Sequence, residues 1–188
     1  MKKLLLMFSL PIVLLLTSTG PGTKIQQFEY EVIVYNRIIG TFSASKTDLY
    51  LQSVYRLETN ISTRIIKRID YDFAMMSSYE DSKLIHSDLK NYMNKELRNS
   101  STVDFDGSKY LIKTEKETLT HNEKAVNYSS ASLYFEEPIG RKFLFSENYG
   151  INLPISEVSS HKYMVKLPNG DKNYYEYLNG EVVCVEFD

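Results

Sequence analysis

At 188 residues the chain has the length of one domain able to bury its own core, and 43% hydrophobic with 24% charged residues excludes a disordered polypeptide. Fifteen tyrosines, nine phenylalanines and no tryptophan lean toward strands. The net charge of −2 falls to −4, 20 basic against 24 acidic residues, once Lys2 and Lys3 are removed, which argues against a nucleic-acid partner.

The first 22 residues read as a secretory signal. Lys2 and Lys3 form its positive start, residues 4–16 an apolar stretch, and residues 17–22 the small residues that suit cleavage, placed here after Gly22. The apolar run, interrupted by Pro11, falls short of the roughly 20 residues a spanning helix needs. No cysteine follows it, so a lipoprotein anchor is not expected. Residues 23–188 are expected to form a single exported domain.

That domain opens on FEYEVIVYNRIIGTFSASK, residues 28–46. Phe28, Tyr30, Val32 and Val34 alternate with Glu29, Glu31, Ile33 and Tyr35, which predicts a strand with one buried face. Asn36-Arg37 breaks the run, and Ile38, Gly40, Phe42 and Ala44 resume it, predicting a hairpin with a bulge or bend at Gly40. Further strands are predicted over 50–61, from Ile69 to Met75, over 84–93, 97–105 and 109–114, and around 118–121. Polar turns separate them, Asp106-Gly107 being the clearest. Long strands on short turns leave no room for crossover helices, so the sheet is expected to be antiparallel.

At Ser129 the pattern changes. SSASLYFEEP predicts a two-turn helix over 129–136, capped by Ser129 or Ser130 and ended before Pro138. A short apolar run with Phe143 and Phe145 on one face follows, and residues 147–160, punctuated by Gly150 and Pro154, read as mostly loop. Asn169-Gly170 and Asn179-Gly180 then separate three alternating runs, predicting a closing three-stranded meander. Its last strand carries Cys184, which can form no internal disulfide and is either buried there or open to an intermolecular bridge. The fold class expected is all-β with one short helix: a strongly curved antiparallel meander, or partly closed barrel, of about nine to eleven strands.

Residues able to carry chemistry are sparse. His86, His121 and His161 show no spacing that would place two of them on one metal from one element, and Lys113 stands where a calcium loop beginning at Thr102 needs its last carboxylate. Asp70 and Asp72 share a strand face opposite Ile69, Tyr71 and Phe73, as a solvated face does. No serine-nucleophile motif is present, so no catalytic residue and no cofactor is assigned. Glu136 and Glu137 end the expected helix where its dipole disfavours them, so a salt bridge between Glu137 and Arg141 is expected. Tyr134, Phe135, Phe143 and Phe145 are the candidate ligand-binding residues, since aromatic side chains lying across a curved sheet can line an apolar pocket.

Several segments together carry a resemblance: Tyr30, Val32, Val34, Ile39 and Gly40 in the opening strand pair, YSSASLYFEEP ending at Pro138, and KLPNGDKNYYEYLNG ending at Gly180. Over nearly all of residues 23–188 the chain resembles a family of exported proteins of unknown function from Gram-negative bacteria. The resemblance implies a periplasmic location and an all-β domain, and no site. At the level of fold alone, the layout is similar to curved-sheet envelope proteins, including lipoprotein carriers. The function expected is a binding or carrier module for an apolar or lipid-like ligand. The alternative is a structural or protein-interaction component of the envelope.

Overall fold

A computed structural model describes residues 4–7, 22–64 and 68–187. Apart from Leu4–Met7 and Gly22, the expected signal lies outside the described residues. The chain is all-β and antiparallel. One meander contains β2 (Thr23–Val34), β3 (Arg37–Leu49), β4 (Gln52–Arg64), β5 (Arg68–Glu80), β6 (Lys83–Met93), β7 (Glu96–Phe105), β8 (Tyr110–Thr114) and β9 (Thr118–His121). A second contains β10 (Phe143–Ser146), β11 (Ile151–Ser159), β12 (Lys162–Lys166), β13 (Lys172–Leu178) and β14 (Glu181–Phe187). The four-residue β1 (Leu4–Met7) pairs with β2 on one side and β14 on the other, and so joins the two edge to edge. The sheet does not close into a barrel, because β9 and β10 end the strand order without pairing to each other. Fourteen strands among the described residues exceed the nine to eleven expected.

The hairpins follow the turn chemistry of the sequence. Tyr35-Asn36, Asp81-Ser82 and Asn94-Lys95 each have positive φ at both positions, the geometry that matches the twist of the strands they join. The expected irregularity near Gly40 is a bulge: Val32 pairs with Gly40 and Ile33 with Ile38, leaving Ile39 as the extra residue. Gly40 is needed there for a different reason, since a Cβ would sit 2.4 Å from the Asn60 carbonyl oxygen of β4. The two Asn-Gly turns of the C-terminal meander stand where predicted.

Two expectations fail locally. Residues 151–159 form a strand, not a loop. Pro154 is tolerated because β11 changes neighbours beside it: Ile151 to Pro154 pair with β10, and Ile155 to Ser159 with β12. The expected helix over 129–136 is only a 3₁₀ turn, Ser132–Tyr134, with no side-chain cap. The Ser129 hydroxyl is occupied elsewhere, so the helix N-terminus it would have capped is not formed.

The inner face is built from rows of cross-strand partners. Ala44, Leu57, Met75, Leu89 and Ser101 form one row across β3 to β7. Beside it run Phe42, Thr59, Phe73 and Asn91 on one side and Tyr55, Ser77, Ser87 and Val103 on the other. One core cluster takes side chains from both meanders, among them Phe28, Tyr30, Leu57, Tyr163, Tyr175 and Val185, and from the segment carrying Tyr128, Leu133 and Tyr134. That segment fills the space between the walls.

Candidate functional site

The connection between β9 and β10 has no regular structure beyond the 3₁₀ turn Ser132–Tyr134, so most of its backbone needs outside partners if it is to be buried. Tyrosine supplies many of them. The hydroxyl of Tyr110 accepts from the Val126 amide at 2.8 Å, and that of Tyr177 donates to the Leu133 carbonyl at 2.7 Å. Tyr79 donates to Ser129 Oγ at 2.7 Å. A ring long enough to cross the core with one polar tip does both jobs, which accounts for the excess of tyrosine over phenylalanine. Burial raises the pKa of Tyr79 and Tyr177, so both stay neutral donors.

Glu147, in the turn between β10 and β11, is the polar centre of this packing and is fully buried. Its carboxylate accepts from Ser129 Oγ at 2.5 Å, from Ser77 Oγ at 3.3 Å, and from the Ser130 and Ala131 amides at 3.1 and 3.4 Å. The Glu147 carbonyl accepts from Ser101 Oγ at 2.7 Å, and Ser77 is linked to Ser87 at 3.0 Å. Burial raises the carboxyl pKa, with the Ser129 and backbone hydrogen bonds opposing it. Sequence reading missed this hub. Its one visible signal was a set of serines at Ser77, Ser87 and Ser101, positions where apolar residues were due. The hub clamps the inserted segment, with Ser129 and Glu147 both buried.

Beside the clamp lie two cavities. The larger, about 400 Å³, is almost wholly apolar and is walled by Val32, Phe42, Ile61, Phe73, Tyr134 and Phe187, with Thr59 and Tyr71. The smaller, about 240 Å³, shares Phe42, Tyr71, Phe73, Tyr134 and Phe187 with it and adds a polar side formed by Asn91, Ser130, Ser146, Glu147, Asn148 and Asn173. The larger falls within the range of roughly 300–1,000 Å³ usual for small-molecule sites. A third, polar recess of about 270 Å³ contains Lys46, Glu136 and Arg141. There Lys46 is paired with Asp48 at 3.3 Å and Arg141 with Glu136 at 2.8 Å, so both cations are already compensated.

The four aromatic candidates are dispersed. Tyr134 stands in the wall between the cavities, its ring 4.8 Å from Phe42 in one meander and 6.1 Å from Tyr175 in the other. Phe135 packs against Phe28 and Tyr55 outside both cavities. Phe143 is 58% exposed, and Phe145 is buried in a separate cluster against Tyr110 and His121. The expected pair of Glu137 with Arg141 is replaced. Arg141 takes Glu136 and stacks on the Tyr128 ring at 4.0 Å, because the chain turns at Pro138 and brings the more exposed carboxylate round to it. Glu137 points inward, accepting from the Tyr163 hydroxyl at 2.8 Å beside His161 Nδ1 at 2.9 Å. Burial, then Glu137, pushes the Tyr163 pKa up to about 12.

His86 is a cross-strand partner of Asp104 at 2.7 Å, and Cys184 is half-buried in β14. Among the described residues, no group of three or more His, Cys, Asp or Glu is placed to hold a metal ion, and no helix is long and apolar enough to cross a membrane.

No curated protein and no solved structure matches this chain. A family described as a domain of unknown function, DUF6134, matches residues 30–188, most of the sequence and the whole of both meanders except the start of β2. The chain belongs to that family.

Proposed function

We propose that this protein is exported to the periplasm and there binds or carries an apolar, lipid-like ligand. The observation that carries this reading is the 400 Å³ cavity between the two meanders, walled by Phe42, Ile61, Phe73 and Tyr134. An open recess of this size with an apolar wall is the usual form of a small-molecule site. The signal-like first 22 residues support export.

The test has two parts. The protein isolated from its host is extracted into organic solvent and the extract analysed by mass spectrometry, and its N-terminus is sequenced. A stoichiometric lipid and a first residue of Thr23 are expected. Filling the cavity with Ile61→Phe should then weaken binding of a fluorescent apolar probe about ten-fold or more. A lipid-free extract together with no probe binding would overturn the carrier reading.

A second reading, docking to another envelope component, draws on the exposed apolar residues at strand ends. Tyr35 and Ile38 are 68% and 61% exposed, and Ile69, Met93 and Leu97 are also exposed, all at the end of the meander to which β2, β4 and β6 run. Arg37, Lys95 and Arg98 lie among them. Crosslinking in cells from a residue introduced at Tyr35 should recover one reproducible neighbour, and a random set of neighbours would count against it.

A further inference from the structure

The two cavities constrain what kind of head group a ligand can carry. Among the described residues lining them there is no Lys, Arg or His. The lone carboxyl, Glu147, already accepts from Ser77, Ser129, Ser130 and Ala131. An ionised head group would enter without a counter-charge, the costliest way to bury a polar group. Among the uncharged polar side chains of the smaller cavity, Asn91 carries an oxygen with no hydrogen-bond partner among the described residues. Asn91 lies on β6 opposite Phe73 and lines the smaller cavity. That oxygen, its Oδ1, is buried from solvent. A buried acceptor left unpaired is rare enough to point to a missing donor.

Resting on the carrier reading, we infer that the ligand is an uncharged long-chain alcohol or hydroxyl-bearing lipid, its chain in the larger cavity and its hydroxyl on Asn91. A hydroxyl both donates and accepts, so it satisfies either orientation of the Asn91 amide. Carboxylates and phosphate esters of the same chain are excluded by the missing cation.

The experiment uses the purified protein and displacement of N-phenylnaphthylamine by three compounds of one chain length: dodecanol, its methyl ether and dodecanoate. Dodecanol should bind about five- to ten-fold tighter than the ether, which cannot donate, and more tightly still than the carboxylate at neutral pH. Asn91→Leu should abolish the preference for alcohol over ether, read as the ratio of the two affinities within that variant. The wild-type comparison needs no variant, so it stands even if Asn91→Leu fails to fold. Equal affinity for all three would overturn the head-group assignment and leave the apolar site intact. No displacement by any of them would remove the carrier reading itself.

Discussion

The Ser130 amide donates both to the Glu147 carboxylate, at 3.1 Å, and to the Phe145 carbonyl, at 2.9 Å, so one N–H ties the inserted segment to a side chain and to a strand at once. The Tyr128 carbonyl accepts the Phe145 amide from the same side at 3.1 Å. Position of the segment, and hence of Tyr134 between the cavities, depends on this junction.

Glu147→Gln is therefore expected to destabilise the protein by about 1–3 kcal/mol, because one of the donors that converge on the carboxylate would face an NH₂ group. The pH dependence has a definite sign. A carboxyl whose folded pKa is raised contributes stability that is complete below its unfolded pKa and is lost as pH rises through the folded value. The deficit of Glu147→Gln relative to wild type should accordingly shrink as pH rises above about 4.5. Urea midpoints from acid to neutral pH measure it, and parallel curves for the two proteins would refute it.

Tyr134→Ala should be the most damaging substitution at the cavities. The side chain is 7% exposed and touches Phe42, Tyr30 and Tyr175. Large-to-small changes at such sites cost about 3–5 kcal/mol, and this one also removes the wall between the two cavities. Thermal denaturation gives the cost. A loss below about 1 kcal/mol would mean that the segment does not bridge the meanders as described.

Much of the fold was legible because it is local. The alternation of Phe28, Tyr30 and Val32 is a pattern within one strand, and Asn179-Gly180 specifies its turn without help from the rest of the chain. Residues 151–159 were misread because Pro154 ordinarily argues against a strand, and only the change of neighbours beside it makes the position acceptable. The helix expected at Ser129 failed for a similar reason. The serine expected to cap it caps nothing: the Ser129 hydroxyl is bonded to Glu147, 18 positions away. Asn91 and the inward serines left only a faint trace, a polar residue where the period of two calls for an apolar one.

Gly40→Ala tests the close approach of β3 and β4. The added methyl would meet backbone on the neighbouring strand, the Asn60 oxygen at 2.4 Å and Ile61 Cα at 2.9 Å, and neither can rotate away. A loss of about 1–3 kcal/mol is expected, with weaker probe binding because Ile61 walls the larger cavity. Unchanged stability in a denaturant titration would show that the strands can separate there without cost.

The exchange of partners between the two glutamates predicts unequal effects. Arg141→Ala breaks an exposed ion pair and a stack on Tyr128, each worth about 0–1 kcal/mol. Glu137→Ala leaves the Tyr163 hydroxyl without its acceptor in a largely buried position, and should cost more, about 1–3 kcal/mol. The reverse order in a pair of melting curves would restore Glu137 as the partner of Arg141.

Removing residues 1–22 takes β1 out of the sheet. Glu31 to Ile33 of β2 and Cys184 to Phe187 of β14 then lose the strand that pairs with both. The two edges cannot simply close in the pattern of the rest of the sheet. Each runs antiparallel to β1, so they run parallel to each other, and direct pairing would introduce the one parallel ladder among the described strands. Val32 and Phe187, which line the larger cavity, stand on these two edges. Hydrogen exchange of the shortened chain should therefore quicken in peptides covering 31–33 and 184–187 and stay slow in β4 and β5, whose partners are untouched. Equal protection of both edges with and without residues 1–22 would mean that β2 and β14 do pair directly once β1 is gone, sealing the cavity on that side.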